Sequence, residues 1–208
     1  MIGFYTWTTP NGRKVSILLE ELGLDYTTHA IDITKGDQNS PAFRAISPNS
    51  KIPAITDHDT GLSLMESGAI MLYLAEKQAQ FLSTPPNRWR TLEWLMWQMG
   101  GLGPTLGQTH HFLKHNPGQS PYAEARFQAE TLRLYDVLND RLTGRDYVAD
   151  SYSIADMAIW PWISRFEWQQ VELVDFPQVR DWYLRIAERP AVQRGYHVPH
   201  FANEIPMP

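Results

Sequence analysis

Short apolar runs alternate with one amphipathic stretch early in the chain, and this pattern predicts a small mixed α/β domain. Residues 2–6 are apolar and aromatic, as in a buried strand. Residues 26–33 alternate and include β-branched side chains, which predicts a second strand. The apolar positions between them repeat at helical spacing from Lys14 onward: Val15, Leu18, Leu19 and Leu22. A strand–helix–strand unit favours a parallel pair with a right-handed crossover.

A hairpin and a second helix are predicted next. Residues 53–56 and 62–65 are short runs on either side of the turn at 57–61, which indicates paired strands. Residues 68–77 are amphipathic and predict a helix, for which Ser67 is a suitable N-cap. The predicted order is therefore β-α-β-β-α, with a proline opening the third strand.

The pattern changes after a proline-rich segment at 83–87, beyond which almost no strand signal remains. Four helices are predicted, over residues 88–99, 122–142, 154–168 and 177–187. Ser153 and Asp156 have the spacing of a capping box, and the helix behind them is apolar nearly all round. That helix should therefore be central. We expect one domain over residues 1–79, a linker at 80–86 and an all-helical domain over 87–208.

Composition narrows the classes of function. The chain is 43% hydrophobic and 20% charged, with a net charge of −5 and no basic run, which argues against a nucleic-acid partner. No apolar run approaches the roughly 18 residues that span a bilayer, so no membrane partner is expected. Cysteine is absent, which excludes disulfides, thiolate metal sites and a thiol nucleophile carried by the protein. With no recognisable signal peptide, the sequence predicts a cytoplasmic protein.

Two neighbouring features suggest a site for a peptide-like zwitterion. A cis peptide at Pro53 would turn the backbone N–H and C=O of Ile52 outward, toward a ligand. Glu66 and Ser67 precede a helix, where the N-terminus attracts an anion and the acid attracts an ammonium. The alternative for Glu66 and Ser67 is a simple helix start beside an exposed acid.

The chain as a whole resembles the cytosolic glutathione transferases. The motifs on which this resemblance rests are Lys51-Ile52-Pro53, Glu66-Ser67 before an apolar helix, and Ser153-Ile154-Ala155-Asp156. Three further segments are similar to the nu class: Thr-Pro-Asn-Gly at 9–12, Gly-Gly-Leu-Gly-Pro at 100–104, and His110-His111-Phe112. The resemblance implies an α/β thioredoxin-like N-terminal domain followed by an all-α C-terminal helical domain. It also implies glutathione-dependent reduction of disulfide bonds, with weak conjugation or peroxidase activity.

The resemblance assigns roles to nine residues. Glu66 and Ser67 would hold the γ-glutamyl end of glutathione, and Ile52 beside Pro53 would pair with its cysteinyl backbone. Thr9 and Asn11 would stabilise the glutathione thiolate and are the predicted catalytic residues. Three side chains would approach the carboxylates of the ligand: Gln38, Lys51 and Arg126. A turn with an N-cap at Thr9, a solvated Lys51 and an ordinary surface Arg126 remain alternatives.

The resemblance also implies the partners. Glutathione acts as co-substrate, as the thiol or as glutathione disulfide, with up to two glutathiones per site and a disulfide or an electrophile as second substrate. A homodimer is expected, with the helical domain forming one wall of the cleft. No metal is expected, because adjacent His110 and His111 point their rings to different helix faces. Conventional S-conjugation, or a non-catalytic interaction module on the same fold, are the rival functions.

Overall fold

The computed structural model describes residues 1–208, and a four-stranded mixed sheet forms the framework of their first part. Its strands are β1 (Ile2–Thr6), β2 (Tyr26–Ala30), β3 (Ala54–Asp57) and β4 (Leu62–Met65), in the spatial order β2-β1-β3-β4. The pair β1–β2 is parallel, and β1–β3 and β3–β4 are antiparallel. The predicted parallel pair and hairpin are thereby confirmed.

Three helices accompany this sheet: α1 (Pro10–Leu22), α2 (Pro41–Ile46) and α3 (Ser67–Gln78). The core lies between α1, α3 and the sheet, where Phe4, Leu18 and Ile55 are fully buried. Gly23 ends α1 with a φ of 61°, a left-handed conformation that glycine adopts without the steric cost of a Cβ.

The second compact unit comprises Ser83–Ala187 and Pro206–Pro208 and is helical. Its helices are α4 (Asn87–Trp97), α5 (Gly103–Thr109), α6 (Pro121–Leu142), α7 (Ile154–Ile163) and α8 (Pro177–Ala187). Wide π-helical turns at Gln98–Leu102 and His110–His115 follow α4 and α5, so the glycine cluster widens the helix rather than breaking it.

Helix α7 is the centre of the second unit, and all ten of its residues are buried. The predicted capping box is present: Ser153 N donates to Asp156 Oδ2 at 3.1 Å, and Ser153 Oγ accepts from Ala155 N at 3.3 Å. The helix is shorter than predicted, because the chain passes into a 3-10 turn over Phe166–Gln169.

The first compact unit comprises Met1–Leu82 together with Glu188–Ile205. The sequence instead predicts one helical domain for everything after residue 87. The difference arises from α9 (Pro190–Tyr196), which packs on α1 through Gly195: a Cβ there would lie 2.7 Å from Ile17 Cα. The fully buried Arg13 also donates from Nε to Tyr196 O at 3.0 Å. No helix in the structure has the length and apolar character needed to cross a membrane.

Candidate functional site

The turn before α1 presents a hydroxyl at a helix N-terminus. Thr9 is the N-cap, and its Oγ1 accepts a hydrogen bond from Gly12 N at 3.2 Å. This bond uses the oxygen as an acceptor, and the hydroxyl can still donate its own proton. The half-buried Asn11 lies in the same first turn. The turn therefore combines two polar side chains with the positive end of the helix dipole.

Gly12 sets how tightly this turn is folded. A Cβ at this position would lie 2.4 Å from both Thr6 Oγ1 and Trp7 O. These distances are shorter than real Cβ contacts, so only glycine lets the first turn of α1 approach the end of β1 this closely. The position of the Thr9 hydroxyl depends on that approach.

The N-terminus of α3 differs in detail from the prediction. Ser67 is the first residue of the helix, and the cap position belongs to Glu66, so the prediction of Ser67 as N-cap is wrong. Glu66 has φ 72° and ψ 113°, a region that non-glycine residues rarely occupy. Its side chain is exposed, whereas Ser67 is buried with its hydroxyl near the helix start. Strained backbone of this kind is often found at ligand sites.

Lys14 connects the two helix N-termini. It is only 1% exposed, and its Nζ donates a hydrogen bond to Ser67 Oγ at 3.3 Å. Burial lowers the pKa of Lys14 to about 7, although the charge of Glu66 opposes the shift. The sequence reasoning missed this residue. Its signal was present, because Lys14 lies four residues before Leu18 and therefore on the apolar face of α1.

Three further predicted residues lie in the first unit. The Ile52–Pro53 peptide bond is cis, and the β3 ladder begins only at Ala54, so the backbone N–H and C=O of Ile52 lie outside the ladder. Lys51 is exposed, and its carbonyl accepts from Ser47 Oγ at 2.8 Å. Gln38 lies in the short 3-10 helix Asp37–Asn39, with a buried Oε1 that has no hydrogen-bond partner.

Arg126 lies in the second unit, on α6. It is exposed and lines a surface groove of about 870 Å³ together with Tyr122 and Arg133. The structure thus places eight of the nine predicted residues in the first unit and one in the second. Within the first unit, a hydrogen bond from Lys14 of α1 to Ser67 of α3 joins the two helices.

The structure contains no group of three or more His, Asp or Glu side chains that could hold a metal ion. His110 is buried, and its Nε2 atom lies 3.0 Å from Nε2 of Gln169. Burial, with smaller contributions from the charges of Arg165 and His115, lowers the pKa of His110 to about 4. The imidazole is therefore neutral at physiological pH and takes part in a buried hydrogen bond.

Comparison with known proteins identifies the family to which this chain belongs. Residues 4–83 match the family description "Glutathione S-transferase, N-terminal domain", and residues 104–190 match "Glutathione S-transferase, C-terminal domain". The chain is 52% identical over 198 residues to Disulfide-bond oxidoreductase YfcG of Escherichia coli, with 92% of each chain covered. The chain belongs to the glutathione S-transferase family. The family resemblance seen in the sequence and the predicted fold class are both confirmed.

Solved structures of glutathione S-transferase family members agree with this assignment. A glutathione transferase from Pseudomonas putida, with one glutathione disulfide bound per subunit, superposes with a TM-score of 0.90 at 44% identity. The match covers 95% of this chain and 91% of that chain. A member from Pseudomonas fluorescens, with two glutathione bound, gives a TM-score of 0.89 at 40% identity, covering 95% and 93% of the two chains.

Proposed function

We propose that the protein binds glutathione and uses the glutathione thiolate to reduce disulfide bonds. The observation that carries the proposal is the contact between the N-terminal part of α1 and the start of α3, through Lys14 and Ser67. This contact places the Thr9 turn and the Glu66–Ser67 pair on one connected piece of structure. Because the chain has no cysteine, the reacting thiol must come from the ligand.

Each end of glutathione has a chemically matching partner in the proposal. The γ-glutamyl carboxylate lies at the start of α3, on the Ser67 amide and hydroxyl, and the ammonium lies near Glu66. The cysteinyl backbone pairs with the N–H and C=O of Ile52, next to Pro53. The glycyl end approaches Gln38, whose buried Oε1 a ligand N–H can satisfy, and Lys51.

Thr9 and Asn11 act on the thiol. An unperturbed thiol has a pKa of about 8.5 and is only a few per cent ionised at pH 7. Lowering this pKa by ~2 units needs ~2.7 kcal/mol of stabilisation of the thiolate over the thiol. The Thr9 hydroxyl, the Asn11 amide and the N-terminal end of α1 can supply it together, since each favours the charged form.

The reaction balances with two glutathione molecules. The first thiolate attacks one sulfur of the substrate disulfide, forming a mixed disulfide and releasing the other sulfur as a thiolate that takes up a proton. A second glutathione thiolate then attacks the glutathione sulfur of the mixed disulfide. Glutathione disulfide and the second substrate thiol are released, so two glutathiones are oxidised for each disulfide reduced.

The relatives agree with this chemistry. YfcG is named a disulfide-bond oxidoreductase, and the Pseudomonas fluorescens member binds two glutathione molecules. The proposal extends to the finer expectations from the sequence: a cytoplasmic homodimer of the nu class, in which Arg126 provides a further contact to a ligand carboxylate.

Turnover on two substrates tests the proposal. With glutathione present, a small dithiol-linked disulfide should be reduced faster than a model electrophile is conjugated. The reverse order would favour a conventional conjugating transferase. Thr9→Ala and Asn11→Ala should each lower disulfide turnover, and no change in either would remove these residues from the mechanism. Absence of glutathione binding by calorimetry would favour a non-catalytic module.

A further inference from the structure

The contact between Lys14 and Ser67 has a direction. A protonated lysine has three donors and no acceptor, so Lys14 Nζ donates and Ser67 Oγ accepts across their 3.3 Å separation. A serine hydroxyl that accepts from lysine can also donate its own proton, and a ligand carboxylate is a strong acceptor for it. A neutral amine can itself accept, and it would then compete for that proton.

We propose that Lys14 is a positioning residue that directs the Ser67 hydroxyl proton toward the γ-glutamyl carboxylate of the ligand. The inference rests on the proposed function, because it assumes that glutathione is the ligand, and it deepens that function by naming what selects the carboxylate. Lys14 acts through Ser67. Its ammonium also places a positive charge one hydrogen bond behind the site at which the carboxylate binds.

The position of Lys14 is consistent with this role and unlike that of a surface lysine. It is 1% exposed, in a helix whose residues from Gly12 to Leu19 are all buried. A buried ammonium loses hydration and is retained only where charges or hydrogen bonds compensate for that loss. A carboxylate bound at Ser67 would supply further compensation, since opposite charges attract strongly away from bulk water.

The helices packed against α1 carry charged and titratable groups, of which Glu66 acts on Lys14. From α3 the group is Glu66, whose negative charge raises the pKa of Lys14, against the larger lowering by burial to about 7. From α9, Arg194 pairs with Glu20. Tyr196 of α9 lies under the Arg13 guanidinium, 3.5 Å from it. Titration of Lys14 thus falls within the physiological range, and binding of a carboxylate should favour its protonated form.

One analogue separates carboxylate recognition from the rest of the ligand. 4-Aminobutyryl-Cys-Gly keeps the amine of glutathione and lacks the γ-glutamyl α-carboxylate. The affinity ratio of glutathione to the aminobutyryl analogue, measured by calorimetry, isolates the carboxylate because effects common to both ligands cancel. Lys14→Met should lower this ratio roughly tenfold or more, since the ammonium that orients the Ser67 hydroxyl and attracts the carboxylate is removed.

The pH profile of wild-type protein tests the same point without a substitution. The affinity ratio should be constant below about pH 7 and should fall by up to about tenfold per pH unit above it, because binding then requires uptake of a proton. In Lys14→Met the ratio should not vary with pH. Lys35→Met removes the same charge from an exposed side chain of the first unit and should leave the ratio and its pH profile unchanged.

The outcomes are distinct. An unchanged ratio in Lys14→Met, or a wild-type ratio that is flat from about pH 6 to about pH 8, overturns the role of Lys14 while the proposed function stands. If Lys14→Met does not fold, the wild-type pH profile decides. Failure of wild-type protein to bind glutathione overturns the proposed function and this inference with it. An unchanged ratio that is accompanied by an equal loss of affinity for both ligands identifies Lys14 as merely structural.

Discussion

Trp182 Nε1 donates a hydrogen bond to Asp156 Oδ1 at 2.9 Å in the interior of the second unit, where both side chains are fully buried. Val148 N donates to the same oxygen at 3.0 Å, and Ser153 donates to the other. Burial raises the pKa of Asp156 to about 6, although all of these hydrogen bonds favour the carboxylate. The Trp182 indole therefore helps to stabilise the buried carboxylate of Asp156 among the helices of the second unit.

Replacing Trp182 with Phe should destabilise the protein by about 1–3 kcal/mol, because a hydrogen bond to a buried carboxylate is lost. The loss should be larger near pH 8 than near pH 5, since only the ionised acid depends strongly on the donor. The folded pKa of Asp156 lies above its ordinary 3.8, so ionisation weakens the native state as the pH rises through about 6. Chemical unfolding at both pH values measures this difference, with exposed Trp89→Phe as the control.

Thr9 is expected to have two separable effects. Thr9→Ala removes the N-cap oxygen and should lower the free energy of unfolding by about 1 kcal/mol. It should also raise the thiol pKa of bound glutathione, which reduces the thiolate absorbance at neutral pH. Thr9→Ser keeps a hydroxyl and should largely retain both properties. Equal thiolate absorbance in the alanine and serine variants would contradict a role of this hydroxyl in ionisation.

Asp57 should make the first unit sensitive to acid. Its carboxylate is fully buried and accepts hydrogen bonds from Lys77, Tyr73 and the Asp59 N–H. Burial alone would raise the pKa of Asp57, but these bonds outweigh it and lower the pKa to about 2. Because the folded pKa is depressed, the stabilisation is complete above about pH 5 and declines as the pH falls toward about 2.

Asp57→Asn should therefore cost about 1–2 kcal/mol at pH 7, and the difference from wild type should shrink as the pH is lowered. Thermal unfolding followed from neutral to acidic pH measures it. Asp59→Asn is the matched control, since Asp59 bonds the N-terminal ammonium at the surface and its contribution should be much smaller. A constant difference between Asp57→Asn and wild type across this range would contradict the pKa argument.

Gly195→Ala should force α9 away from α1. The added Cβ would meet Ile17 Cα at 2.7 Å and Ile17 N at 2.8 Å, and backbone cannot move aside as a flexible side chain can. We expect a loss of about 1–3 kcal/mol in the free energy of unfolding. Gly100→Ala is the matched control, because nothing lies within 4 Å of its added Cβ, and it should be neutral or stabilising. Equal stability of the two variants would be inconsistent with this packing.

The sequence was sufficient where local pattern and structure coincide. The four strands, the parallel pair, the hairpin and the capping box at Ser153 follow from periodicity and short-range hydrogen bonding, and each is present. The turn at Thr9 predicts either an N-cap or a ligand contact, and the structure shows the N-cap. Because the hydroxyl oxygen accepts in that bond, a ligand contact through its proton stays a prediction.

The features that the sequence does not predict depend on contacts between segments that are distant in the chain. The pattern around Lys14 predicts only the start of an amphipathic helix, because its contact with Ser67 joins residues far apart in the chain. The seven-residue α9 is too short to show clear periodicity, and its place beside α1 depends on Gly195. Ser67 resembles an N-cap by residue type, but the unusual backbone of Glu66 moves the cap back by one position.

The return of residues 188–205 to the first unit has a consequence for biosynthesis. Residues 83–187 of the second unit leave the ribosome before α9, so the first unit is begun first but is completed only after most of the second unit has been made. Until then, Arg13 and Ser16 lack the Tyr196 and Gly195 carbonyls to which they donate in the finished protein. Helices α4 to α8 can therefore pack together during translation, before α9 has been made and can pack on α1.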